Sequence, residues 1–154
     1  MAAAARRAAH RRLAQPIPTS SLTPTAPTLR RPSRPLSTSG LHADCIVVDG
    51  LIVSKWGPEV FASMRAGGVT AANCTVSVWE GFQPTCDNIA AFKRWFREHA
   101  DTIREVRSVA DIHAAKAADR VGVILGFQNT TAFEENVGYV QLFKELGVGV
   151  AQMT

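Results

Sequence analysis

The chain has 154 residues, 46% of them hydrophobic and 19% charged, a globular composition with room for one domain of ordinary size. Its net charge of +4 comes from the first 40 residues, which hold seven arginines and no acid, so the remainder carries +4 − 7 = −3. This argues against a nucleic-acid-binding surface on the folded part, and no apolar run reaches the roughly 18 residues that a transmembrane helix needs.

Residues 1–40 read as a disordered organellar transit peptide. Ala2–Ala14 is helix-permissive and carries Arg6, Arg7, Arg11 and Arg12. Beyond Gln15, Pro16, Pro18, Pro24, Pro27, Pro32 and Pro35 forbid a continuous helix or a central strand. An acid-free, Arg- and Ser-rich N-terminus predicts import into the mitochondrial matrix, with the chloroplast as the alternative and a non-functional upstream extension as a third reading. The folded part is expected over residues 41–154. Cys45, Cys74 and Cys86 form no C-x-x-C pair and are odd in number, so they read as free, buried or partly buried thiols.

In chain order, Cys45–Asp49 with Leu51–Val53 predicts a strand buried on both faces. Pro58 opens a helix carrying Val60, Phe61 and Met64, and Gly67 and Gly68 end it. Val69–Trp79 is rich in β-branched residues and predicts a second strand. Asp87 is the expected N-cap of a helix running from Asn88 to about His99, with Ile89, Phe92, Trp95 and Phe96 on one face. Asp101–Val106 reads as a short helical extension. Ser108–Asp111 has capping-box form and opens a helix to about Ala118. Val121–Phe127 is the third predicted strand, Asn136–Leu146 a helix closed by Gly147, and Val148–Met153 the fourth strand. The order β-α-β-α-α-β-α-β implies a parallel α/β sheet with right-handed crossovers. Four strands over about 110 residues make roughly half of a (β/α)8 barrel. The segment is therefore expected to be truncated, with an exposed last strand, to fold poorly alone and to be inactive alone.

The strand ending Val48-Asp49-Gly50, the turn Met64-Arg65-Ala66-Gly67-Gly68-Val69, the strand Val123-Ile124-Leu125-Gly126 and the stretch Phe143–Val148 leading to Met153-Thr154 together resemble membrane dipeptidases of the renal dipeptidase type, peptidase family M19. Asn73-Cys74-Thr75 and Val78-Trp79-Glu80-Gly81-Phe82 are similar to a divergent, bacterial-type branch. The resemblance implies the N-terminal half of a TIM-like (β/α)8 barrel in which two zinc ions at the mouth hydrolyse dipeptides. It also implies a His-x-Asp ligand pair after strand 1 and a bridging Glu after the strand that precedes Gln128. Bridging two zinc ions calls for a carboxylate, and the metals make a shared water nucleophilic. Here Leu51 and Val53 occupy the His-x-Asp positions and Gln128 the Glu position, so no zinc site is supported by the residues present. His42-Ala43-Asp44 spells His-x-Asp but precedes strand 1, at the wrong end of a barrel.

Asp49, Glu80, Gln128 and Asn129 are the candidate substrate-binding residues, each with a purely structural reading beside it: mouth hydrogen bonding for Asp49, a solvated loop acid for Glu80, structural amides for Gln128 and Asn129. Catalytic residues are not identified. Two functions stay open: a dipeptidase-like metallohydrolase with altered N-terminal ligands, or a metal-free pseudoenzyme that binds a small molecule or partner. The expected ligand is a small dipeptide or amino-acid-like molecule, and a homodimer is expected of the full-length form.

Overall fold

The structure, a computed structural model, describes residues 38–154. The predicted transit peptide lies outside the described residues except for positions 38–40, which open a short helix, α1 (Thr38–Asp44). Then follow β1 (Val48–Ile52), α2 (Pro58–Ala66), β2 (Ala71–Ser77), α3 (Phe82–Glu98), β3 (Ile103–Glu105), α4 (Val109–Ala117), β4 (Val121–Phe127), a 3-10 turn (Thr131–Phe133), α5 (Gly138–Leu146) and β5 (Val148–Ala151).

All five strands pair in parallel. β1, β2, β4 and β5 are neighbours in that order, without the reversal that marks a doubly wound sheet, and this is the strand sequence of a (β/α)8 barrel. The short β3 sits beside the first half of β4, Ile103 opposite Val121, while β5 sits beside its second half, Leu125 opposite Val148. Residues 101–106, expected to extend a helix, therefore contain a strand instead. Its three residues are fixed by pairing with β4, which the local sequence does not show.

Along β2 and β4 the two faces separate cleanly. Ala72, Cys74 and Val76 join Val121, Val123, Leu125 and Phe127 in a core with Phe61 and Met64 of α2, Ile89 and Phe92 of α3, and Phe143 of α5. By the two-residue period of a strand, Asn73 and Thr75 lie on the opposite face with Gly122, Ile124 and Gly126, and an irregularity after Thr75 brings Ser77 opposite Phe127. β2 is buried along its whole length. A right-handed return from β3 to β4 runs in the opposite direction to the step from β2 to β3, which places α4 on that opposite face. Accordingly, Val109 and Ile112 of α4 share a cavity of about 390 Å³ with Ile124 and Gly149.

α3 begins six residues before the expected start. Gly81 is its N-cap, and Pro84 falls in its first turn, where the missing N–H has no helical partner to lose. α4 carries the expected capping box: the Ser108 hydroxyl accepts from the Asp111 amide, and Asp111 accepts from the Ser108 amide at 3.0 Å. Gly147, at φ +109°, ends α5 in a backbone conformation that L side chains rarely adopt.

Candidate functional site

Functional groups in a parallel barrel gather where strands end and loops begin. Here β2 ends at Ser77 and β4 at Phe127, and the two ends are joined when Gln128 donates its backbone N–H to the Ser77 carbonyl at 2.9 Å. The loop after β2 folds onto Glu80. Its carboxylate accepts the amides of Val78 (2.6 Å) and Trp79 (3.0 Å), while its backbone carbonyl takes the hydroxyls of Ser77 and Thr85. Partial burial pushes the Glu80 carboxyl upward, but the backbone hydrogen bonds around it outweigh that effect and hold it below the usual glutamate range.

The predicted amide pair divides by role. Asn129 is buried and bonded through both side-chain polar atoms: Nδ2 donates to the Val78 carbonyl and Oδ1 accepts from the Thr131 amide at 2.8 Å, stapling the two loops together. Gln128, by contrast, keeps a buried side-chain oxygen with no partner. Two more such atoms lie on the inner face of β2: Asn73 Oδ1 and Thr75 Oγ1, on residues only 6% and 4% exposed. Buried polar atoms without partners are rare in folded proteins and cost about 1–3 kcal/mol each. Asn73 is held by Nδ2, which donates to the Gly50 carbonyl at 3.0 Å, and its oxygen lies directly over Gly126. Sequence reasoning passed over Asn73, Thr75 and Ser77. The available signal was their alternation with Ala72, Cys74 and Val76.

Asp49 corrects an expectation. It does not end β1 at the mouth. It is the second residue of the strand, exposed, in register with Ala72 near the start of β2. Its Oδ1 accepts the Leu51 amide at 3.0 Å. A bulge between Asp49 and Ile52 shifts the register by one residue, which a count along the sequence cannot reveal. Glu80, Gln128 and Asn129 are brought together at the strand ends; Asp49 is not among them.

The two-zinc centre implied by the resemblance can be tested against the donors present. Leu51 is half-buried, Val53 is exposed, and neither has an electron pair to give. Gln128 offers a neutral oxygen. Among the described residues no three His, Cys, Asp or Glu side chains come together to hold a metal. His42 Nε2 lies 3.1 Å from the Gly67 carbonyl, beside the turn that leads into β2, at the start of the strands. These residues do not fit a dinuclear zinc site of the family type.

Next to Glu80 is a cavity of about 270 Å³ between the loop after β1, the end of β2 and α3. Trp56 roofs it and donates its indole N–H to the Thr75 carbonyl at 2.7 Å. The ring lies 5.5 Å from Phe92, and Phe92 lies 5.1 Å from Trp95, both edge-on.

Comparison with known proteins places this geometry. Residues 58–154 match the profile of the membrane dipeptidase family, peptidase family M19. The crystal structure of an amidohydrolase from Pseudomonas aeruginosa is 57% identical to the chain and superposes with a TM-score of 0.75, over 77% of this chain and 36% of that one. Dipeptidase AC, a metallopeptidase of family M19, is 14% identical with a TM-score of 0.59 over 69% of this chain and 41% of its own. The probable dipeptidase PvdM from Pseudomonas aeruginosa is 14% identical with a TM-score of 0.62, over 75% of this chain and 36% of its own. At that identity the two dipeptidases establish the fold alone. The chain thus spans 36–41% of the length of these solved structures. No curated protein sequence matches it.

Proposed function

The chain belongs to the membrane dipeptidase family, peptidase family M19, and on that premise we propose that it forms part of a hydrolase cleaving the amide bond of small dipeptide-like substrates. In this reading the segment supplies substrate-facing amides and hydroxyls, and not metal donors. The observation that carries it is the set of unpartnered buried atoms Asn73 Oδ1, Thr75 Oγ1 and Gln128 Oε1, of which Thr75 and Gln128 lie towards the strand ends where barrel enzymes do their chemistry and Asn73 lies deeper along β2. Amide and hydroxyl groups suit a peptide unit, which offers one donor and one acceptor. Asn129 and Glu80 hold the loops that frame the set, and Asp49 has no part in it.

One observation favours a second reading, a metal-free barrel that binds such a ligand without cleaving it: no metal-holding group exists among the described residues. A single experiment separates the two. The protein purified from its natural source is incubated with a panel of dipeptides, release of free amino acids is followed with and without added zinc, and bound metal is counted by mass spectrometry. Release that drops at least tenfold in Gln128→Ala supports the hydrolase. Dipeptide-dependent thermal stabilisation without release supports the binding barrel. Neither effect overturns both. We also propose that residues 1–40 direct the chain to the mitochondrial matrix; the same residues fused to a fluorescent protein that stays in the cytosol would refute this.

A further inference from the structure

The cavity of about 270 Å³ beside Glu80 has an unusual balance of hydrogen-bonding groups. No Lys, Arg or His lines it, and its one charged side chain is Glu80. Its amide, indole and Ser77 donors are already committed to backbone carbonyls: Trp56 Nε1 to Thr75, Asn88 Nδ2 to Val76 at 3.0 Å, and Ser77 Oγ to Glu80. Glu80 accepts the Val78 and Trp79 amides at Oε2 and has no ion-pair partner among the described residues, so its negative charge is not neutralised. The remaining walls are the rings of Trp56, Phe92 and Trp95, the hydroxyl-bearing Ser54 and small aliphatic side chains.

A space whose walls offer acceptors, one negative charge and aromatic faces is complementary to a molecule that brings N–H donors, a positive charge and an apolar body. An ammonium has three donors and no acceptor, and aromatic faces attract it further. A carboxylate would meet Glu80 and no cation, so it is excluded. We propose that this cavity binds a small primary amine, its ammonium on Glu80 and its apolar body against Trp56 and Trp95. The site depends on the hydrolase reading only in identifying that amine as the free amino end of a dipeptide-like substrate. The backbone hydrogen bonds that lower the Glu80 carboxyl keep it ionised at neutral pH, as such a contact requires.

The test uses the full chain and two probes of one shape, phenethylamine and 2-phenylethanol, titrated against tryptophan emission at neutral pH. The amine is expected to bind at least tenfold more tightly than the alcohol. Glu80→Gln, which keeps an oxygen for the Val78 and Trp79 amides, should erase that preference. Equal affinity for the two probes, a preference that survives Glu80→Gln, or no binding of either probe overturns the proposal. Amine preference without amino-acid release from any dipeptide refutes the hydrolase and keeps the site. Release without a Glu80-dependent preference does the reverse.

Discussion

Replacing Gly126 by alanine measures how tightly the inner face of the sheet is built. A Cβ at residue 126 would stand 1.8 Å from Asn73 Oδ1 and 2.8 Å from its Cγ, closer than real contacts allow. Asn73 is 6% exposed and tied through Nδ2 to the Gly50 carbonyl, so it cannot swing aside without losing that bond. Overpacking costs about 1–3 kcal/mol. The lost hydrogen bond adds about 1 kcal/mol. The sum is roughly 2–4 kcal/mol, a large share of the stability of a small domain. Asn73→Ala alone should cost less, about 1 kcal/mol or under, because it removes an unpartnered buried oxygen together with the bond. In the Asn73→Ala background the new methyl has open space, so the double variant should be less destabilised than the sum of the singles by about 1.5–3 kcal/mol. Urea denaturation followed by tryptophan fluorescence gives all four stabilities. Additivity within about 0.5 kcal/mol would mean that Asn73 does not rest on Gly126, and the account of the inner face would fall with it.

Gly147→Ala meets a different obstacle: the backbone there is at φ +109°, and the new Cβ would stand 2.4 Å from Glu105 Oε1 and 2.8 Å from Arg107 Nη2. Strain and disruption of the Lys93–Glu105–Arg107 ion pairs should lower stability by about 2–3 kcal/mol, and a melting temperature equal to that of the unaltered protein would count against it. Glu80 has a folded-state pKa below the ordinary value of 4.5, so the stability it contributes is complete above that value and is lost as the pH falls through the lower, folded-state one. Urea midpoints between about pH 3 and 6 should slope downward on acidification, and Glu80→Gln should flatten part of that slope. The Cys74 thiol is pushed up to about 12 by burial and, secondarily, by the charge of Asp49. A thiol reagent at mildly alkaline pH should therefore modify exposed Cys45 in the native protein and reach Cys74 only after unfolding; rapid native labelling of Cys74 would contradict its place in the core.

What the sequence shows and what it hides divide along the range of the interactions concerned. The core strands β2 and β4 were legible because continuous runs such as Val121–Phe127 can be buried on both faces only inside a parallel sheet. The Ser108 capping box and the Gly147 stop were legible for a related reason: each satisfies backbone groups within a few residues of itself. β3 was not legible, since Ile103-Arg104-Glu105 has no strand pattern of its own and is extended only because Val121–Val123 lies beside it. The candidate site falls between these cases. Glu80, Gln128 and Asn129 could be placed at strand ends because the strands could be placed, but their roles depend on bonds across 51 residues, such as that from Asn129 to Val78. Asp49 looked like a mouth residue until the bulge in β1 and its register with Ala72 placed it near the start of the sheet. Asn73, Thr75 and Ser77 were visible as alternating polar positions, yet alternation in a strand normally marks a solvated face. In β2 that polar face is buried, so the usual inference reverses: polar side chains that sequence logic assigns to water are withheld from it, and three oxygens, on Asn73, Thr75 and Gln128, are left without a partner, which is the observation the proposed ligand-binding role rests on.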